Sequence, residues 1–240
     1  YERVARASGD DRMLLDFLER RAAAPQATPE EVREGVELAV ALGDNRRAES
    51  LLVRTVELAK ARPGGMREAA WALLDLAQRR KSAGDLAGAA GWLEQAAEAS
   101  DSPRIPALLR ELAREAATRP DRAALAARIY EGLREKHPTD RGLWEPLLAL
   151  YAKLGDRAAM GRLIADTVDK LVDRSERNLV RMAWARFLLE AGDTDAASPV
   201  LRDVLLDEPG QREALHLLAD LHERRGEFAD AVALLSEALR

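Results

Sequence analysis

The chain has 240 residues, no cysteine, 47% apolar and 4% aromatic residues, and a formal net charge of −5. These values exclude disulfide bonds and thiolate metal sites, and the mild acidic excess argues against a nucleic-acid binder, which usually presents a basic face. No apolar run reaches the roughly 18 residues of a membrane-spanning helix and no stretch alternates like a β-strand, so we predict an all-α protein packed mainly by alanine and leucine.

Apolar residues recur along the whole chain with the spacing of amphipathic helices. Proline residues mark places where a helix must end, and Arg62-Pro63-Gly64-Gly65 makes the segment Ala61–Met66 the expected flexible joint. The pattern predicts a helical stub over 1–8 and then helices over 11–24, 29–42, 45–61, 67–83, 86–99, 104–118, 122–136, 141–154, 157–173, 176–191, 195–207, 211–225 and 228–240.

In most of the predicted helix pairs, a glycine followed by an acidic residue lies between the two helices. Glycine can end the first helix in a left-handed conformation, and the acidic side chain can cap the second helix. The glycines are Gly9, Gly43, Gly84, Gly155, Gly192 and Gly226, in steps of 34, 41, 71, 37 and 34 residues. The step of 71 divides into 37 and 34 if Asp121 supplies a missing turn. A period near 34 predicts a stacked helix–turn–helix repeat.

The two helices of each pair carry different apolar stripes. Positions 5, 8 and 9 after every turn are apolar or tyrosine, which fits one face of the second helix. The stripe before the turn is looser, because Arg80, Arg110 and Arg181 interrupt it. We expect these arginines to pack their aliphatic stems and to keep their charged heads in solvent. Three tryptophans lie on the stripes and are expected in the core: Trp92, Trp144 and Trp184.

Two segments carry a resemblance to a known family. They are Trp144-x2-Leu147-x3-Tyr151-x3-Gly155 and Leu215-x2-Leu218-Ala219-x2-His222-x3-Gly226-x-Phe228-x2-Ala231-x3-Leu235-x2-Ala238. Both resemble the tetratricopeptide repeat, and the likeness extends over nearly the whole chain. It implies a right-handed α-solenoid superhelix of antiparallel helix pairs, in about seven units over 1–28, 29–69, 70–106, 107–140, 141–177, 178–211 and 212–240. Because the chain opens at Tyr1 within a repeat, we expect it to be a fragment of a longer protein.

The sequence contains no set of residues that points to catalysis. It has neither a phosphate-binding glycine motif nor a nucleophile-elbow serine. His137, His216 and His222 are not spaced as ligands of one metal ion, so we assign them structural roles. We expect no enzymatic activity, no cofactor and no metal. A cytoplasmic location is favoured, and export is left open.

The resemblance implies that the first helices line a concave groove. On these helices, positions 13, 10, 6 and 3 before the turn lie about 130° from the packing stripe. In the alternative interpretation, the large apolar members of this set, such as Trp71 and Met182, belong to the core. The candidate groove residues are Arg33, Glu37, Trp71, Leu74, Gln78, Lys81, Glu111, Glu115, Glu145, Met182, Arg186, Leu189, His216 and Asp220.

The candidate groove also predicts the kind of partner. Glu111, Glu115 and Glu145 suggest an acidic middle, which would prefer a basic or amphipathic peptide over nucleic acid. The carboxylate clamp known in the family needs asparagines on the first helices, and Asn45 and Asn178 are not placed for it. We therefore predict a scaffold that binds a peptide or helix of another protein. The alternatives are a recruiting or regulatory arm of a larger enzyme or signalling protein, and self-association through the solenoid ends.

Overall fold

The computed structural model describes residues 3, 6, 7 and 9–238. Within these residues the regular structure consists of fourteen α-helices and one 3-10 turn, without a strand. The stub predicted over 1–8 lies largely outside the described residues. The helices are α1 Asp11–Ala22, α2 Pro29–Ala41, α3 Asn45–Lys60, α4 Gly65–Glu68, α5 Ala70–Ser82, α6 Leu86–Ala99, α7 Arg104–Ala117, α8 Ala123–Lys136, α9 Arg141–Leu154, α10 Arg157–Val168, α11 Arg174–Glu190, α12 Thr194–Asp207, α13 Arg212–Arg224 and α14 Phe228–Ala238. None of them is both long and apolar enough to cross a membrane.

The predicted glycine turns are present and have the expected geometry. The glycine of each turn is left-handed, with φ between +65° and +78° at Gly9, Gly43, Gly84, Gly155, Gly192 and Gly226. At every one of these turns except Gly226, the aspartate that follows accepts a hydrogen bond from the backbone N–H three residues later. This bond is 2.9 Å long from Ala159 to Asp156 and 3.1 Å from Ala196 to Asp193. Glycine therefore ends the first helix and aspartate caps the second, as predicted.

The predicted turn at Asp121 differs from the others. Pro120–Arg122 forms a 3-10 turn after Arg119, whose backbone is extended, and no side chain caps it. The Asp121 carboxylate accepts a hydrogen bond from Arg122 instead. Asp121 therefore lies in a turn, as the repeat spacing predicts, but this turn has no left-handed residue because no glycine is present.

Most predicted helix boundaries lie within two residues of those in the structure, and two helices differ by more than that. The helix predicted over 67–83 is interrupted at Ala69, which separates α4 from α5. The helix predicted over 157–173 ends at Val168, because the backbone N–H groups of Lys170 and Leu171 both donate to the carbonyl of Thr167. The next helix begins at Arg174, where Asp173 accepts a capping bond from the N–H of Glu176.

The chain forms two compact units, Tyr1–Ala116 and Ala117–Arg240. In the first unit α2 packs against α3 and α5 against α6; in the second, α11 packs against α12 and α13 against α14. Alanines in the predicted small position of the second helices, Ala48, Ala89, Ala126, Ala197 and Ala231, are all buried. The division into one solenoid of seven units stays a prediction.

Two arginines that interrupt the apolar stripe are paired rather than free in solvent. Arg80 contacts Glu49 at 2.5 Å, and Arg181 contacts Asp207 at 2.7 Å. The expectation that the heads extend into water is wrong for Arg181, whose side chain is 20% exposed, whereas the Arg80 side chain remains 44% exposed. Trp144 is buried as expected, whereas Trp92 and Trp184 are half-buried.

Candidate functional site

The positions predicted as a groove bring successive first helices together in the first unit. The Arg33 guanidinium of α2 lies over the Trp71 ring of α5, 5.1 Å from its centre. The Lys81 ammonium of α5 lies 2.5 Å from Glu111 and 3.6 Å from Glu115, both on α7. These contacts place the three helices side by side. Within each unit, we call the surface formed by positions 13, 10, 6 and 3 before the turns the first-helix face.

The second unit has the same arrangement on α9, α11 and α13. Arg186 of α11 binds both carboxylate oxygens of Glu213 on α13, each at 2.6 Å. Between α9 and α11 the surface opens into a groove of about 340 Å³, which we call the α9–α11 groove. Its lining residues are Trp144, Glu145, Leu148, Ala149, Ala152, Met160, Leu179, Ala183, Arg186, Phe187 and Glu190.

The sequence of the two helices explains why a groove forms at this point. Ala149 and Ala152 are exposed on α9, and their small side chains leave space between α9 and α11. On α11, Leu179, Ala183 and Phe187 follow one another at a spacing of four residues and share a face. Leu179 is 45% exposed, and the Phe187 ring stacks on Trp184 with 5.7 Å between the ring centres. The result is an apolar trough with aliphatic and aromatic walls.

The charges beside the first-helix face are mostly neutralised by neighbours. Arg141 donates two hydrogen bonds to Glu145, at 3.1 and 3.0 Å, and these bonds lower the pKa of the Glu145 carboxyl. The hydrogen bond from Lys81 likewise lowers the pKa of Glu111. The predicted acidic middle is therefore partly neutralised, because Lys81 is shared by Glu111 and Glu115 and Arg141 lies beside Glu145.

One carboxylate of the α9–α11 groove differs from these pairs. Glu190 is exposed and makes no ion pair with any described residue. Asp220, on the same face of α13, is also exposed and has no ionic partner in the described part of the chain. Glu190 at the groove and Asp220 on α13 are therefore available to a cationic group of a partner.

The other predicted groove residues differ in their accessibility. Met182 is only 3% exposed and belongs to the core formed by α11, α12 and α13, so its assignment to the groove is wrong. Trp71, Leu74 and Leu189 are half-buried. Leu74, Gln78 and Lys81 line a cavity of only about 20 Å³. Exposed side chains are found at Arg33, Glu37, Gln78, Glu111, Glu145, Arg186, His216 and Asp220.

Sequence reasoning missed Ala183, Phe187 and Glu190 because it placed α11 in a slightly different rotation. The repeat alignment assigned Arg181 to the packing stripe, whereas the structure buries its neighbours Val180 and Met182. Arg181 is held at the edge by Asp207. The groove residues could have been found from the sequence, because Leu179, Ala183 and Phe187 are four residues apart and must share one face of the helix. This spacing does not depend on how the repeat is aligned to its turn.

Comparison with known families agrees with this helical arrangement. Residues 188–240 match the family model of the tetratricopeptide repeat. This is a helical repeat protein with a tetratricopeptide repeat at 188–240. The match includes the end of α11 and all of α12, α13 and α14. No curated protein matches this chain in sequence.

Several solved structures are similar to this chain at low sequence identity. MamA is 15% identical over 71% of this chain and 90% of its own, with a TM-score of 0.46. The repeats of a kinesin light chain from Podospora anserina are 21% identical over 74% and 94%, with a TM-score of 0.44. A thermophilic repeat protein from Thermus thermophilus is 20% identical over 71% and 90%, with a TM-score of 0.36.

Proposed function

We propose that this tetratricopeptide protein is a protein–protein interaction scaffold that binds a peptide or helix of a partner along its first-helix face. The observation that carries the proposal is the α9–α11 groove, an open apolar trough on the face where the sequence predicts binding. Exposed apolar surface bordered by polar residues marks protein-binding sites. The proposal assigns no reaction to the chain.

The composition of the groove favours an amphipathic partner. Leu179 and Phe187 offer the large apolar contacts that dominate binding energy when a partner excludes water from them. Glu145 and Arg186 already have ionic partners, so they contribute specificity more than affinity. Glu190 remains available to a lysine or arginine of the partner. A peptide with an apolar stripe and a basic edge satisfies both features.

The proposal is tested by disrupting the groove without disturbing the core. Affinity purification with the wild-type chain identifies a partner, and isothermal titration calorimetry then measures the affinity of the purified partner. We expect Leu179→Glu to weaken binding at least about tenfold, because it places a charge in the apolar contact. Val172→Glu is the matched control, since Val172 is 91% exposed and does not line the groove. Equal affinities for wild type and Leu179→Glu, with both folded, would refute the proposal.

A further inference from the structure

A second and larger cleft lies among the second helices of the last repeats, away from the first-helix face. Helices α12 and α14 form its walls and α13 forms its floor, and its volume is about 840 Å³. We call it the α12–α14 cleft. Its lining residues are Arg202, Leu205, Leu206, Pro209, Leu215, Leu218, His222, Glu227, Asp230 and Leu234.

The floor and one edge of the α12–α14 cleft are apolar. Leu215, Leu218 and His222 follow one another on α13 at steps of three and four residues, so they form one stripe along the floor. Leu206 is 80% exposed at the edge of α12. An exposed leucine beside an apolar floor is the arrangement that binds the apolar face of a helix in other proteins.

The two walls of the cleft carry opposite charges. Arg202 lies on the α12 wall, whereas Glu227 and Asp230 lie on the α14 side. Arg202 and Asp230 are exposed and make no ion pair with any other described residue. The cleft therefore presents one available cation and one available anion on opposite sides of an apolar floor.

The glycine turn of this repeat differs from the others in a way that adds to the acidic wall. At the earlier turns the aspartate after glycine caps the second helix. Here the residue is Glu227, and its carboxylate lies 2.6 Å from Nδ1 of the buried His222. Ligand atoms of His222, Glu227 and Asp230 all lie within 4.8 Å of one another. The carboxylates of Glu227 and Asp230 therefore lie close together at one side of the cleft.

We propose that the α12–α14 cleft is a second docking surface, which binds an amphipathic helix of a partner protein. Leucine-type side chains of that helix occupy the floor, a basic flank meets Glu227 and Asp230, and an acidic flank meets Arg202. The occupant is a helix because two helical walls on either side of an apolar floor accept a rod with one apolar stripe. The charge on each wall sets the flanks.

The test uses a defined synthetic probe. It is a labelled helical peptide of about 15 residues with leucine at heptad positions a and d, lysine at e and glutamate at g, which puts opposite charges on the two flanks. Fluorescence anisotropy with the full chain measures its affinity. We expect saturable binding that Leu206→Glu weakens at least about tenfold and Asp230→Asn weakens about three- to tenfold.

A second peptide, in which glutamine replaces each lysine, shows whether the flank contact is specific. If its lysines meet the acidic wall, Asp230→Asn weakens the original peptide but leaves the second peptide unchanged, as in a double-mutant cycle. Leu179→Glu disables the α9–α11 groove as an alternative site for the peptide, so all measurements are repeated in this background. Saturable binding of the original peptide should persist there, because the α12–α14 cleft is intact. This control separates the second docking surface from the function proposed above.

Five results would overturn the proposal. Four of them are the absence of saturable binding, binding that Leu206→Glu leaves unchanged, equal effects of Asp230→Asn on both peptides, and loss of binding in the Leu179→Glu variant. The fifth is that the chain does not bind the peptide but binds Zn²⁺ tightly, and that this binding requires His222 and Asp230. The cluster of His222, Glu227 and Asp230 would then be a metal site. Circular dichroism shows whether each variant is folded. If Leu206→Glu is not folded, Leu206→Ala replaces it in the binding measurement.

Discussion

The turn between the helices of a pair depends on two adjacent residues with different tasks. Glycine adopts a positive φ that other residues reach only at a cost, and it ends the first helix. The following aspartate accepts a backbone N–H that would otherwise lack a partner at the start of the second helix. At Gly155-Asp156 both features are present, with φ at +65° and a capping bond of 2.9 Å. The reversal of the chain is therefore encoded locally.

Replacing a capping aspartate should destabilise the protein measurably. Asp156→Ala removes the acceptor for the N–H of Ala159, and we expect a loss of about 1 kcal/mol in the free energy of unfolding. Urea denaturation followed by circular dichroism measures it. Asp121→Ala is the matched control, since Asp121 caps no helix and should change stability by less than about 0.5 kcal/mol. Equal losses in the two variants would contradict the role assigned to the cap.

Asp207 should make the stability of the second unit depend on pH in acid. Hydrogen bonds from Arg181, together with the positive charge of Arg177, lower the pKa of Asp207 in the folded chain. The unfolded chain binds a proton near the ordinary value of about 4, while the folded chain does not. The stabilisation is therefore fully present above about pH 5 and is lost as the pH falls through the folded pKa.

The variant Asp207→Asn tests this assignment. Asparagine cannot titrate, so the variant should lose stability less steeply than the wild type when the pH falls from about 5 to about 3. Urea midpoints at a series of pH values, at constant ionic strength, give the two slopes. Parallel slopes would show that the arginine contacts of Asp207 do not persist in solution.

At the scale of the helix, the sequence predicts where elements begin and end better than how they are rotated. The hairpins at Gly43, Gly84, Gly155, Gly192 and Gly226 follow from local turn chemistry, which needs no tertiary information. The rotation of α11 does not, because Arg181 and Met182 are adjacent and either could face the core. The choice is made by Asp207 of the neighbouring helix, which binds Arg181 at 2.7 Å while Met182 is buried.

The same reasoning explains why the candidate site could be predicted only in part. Glu145 and Arg186 were placed on the first-helix face from their spacing before the turn, and both line the α9–α11 groove. The groove itself exists because small side chains on α9, such as Ala149, lie opposite large side chains on α11, such as Phe187. The spacing of apolar residues within one helix does not show which residues of another helix lie opposite them.

The small position of the second helix should not tolerate a large side chain. Ala231 is 3% exposed in α14, and α14 packs against α13. We expect Ala231→Leu to lower the free energy of unfolding by about 1–3 kcal/mol through overpacking. Val232→Leu is the control, because Val232 is 64% exposed and an added methylene there meets solvent. Chemical denaturation of both variants compares them, and a neutral Ala231→Leu would contradict the packing of this hairpin.

At the scale of the molecule, each compact unit has its own buried residues. Leu52, Leu73 and Leu76 are fully buried in the first unit, and Trp144 and Leu147 in the second. Both docking surfaces proposed above lie in the second unit. Repeat proteins gain stability from each repeat and its nearest neighbours, so a group of neighbouring repeats can hold its structure without the rest. The second unit is therefore expected to carry the binding function by itself.

The fragment 117–240 tests this expectation. It contains α8 to α14, and we expect it to keep a helical circular dichroism spectrum and to unfold cooperatively in urea, because its core residues contact one another within the unit. Its affinity for the labelled peptide should stay within about threefold of the full chain. The variant Leu147→Ala in the same fragment is the control for a specific core, with an expected loss of about 2–5 kcal/mol. A fragment without a cooperative transition would show that the two units depend on each other, since the missing stabilisation must then come from residues 1–116.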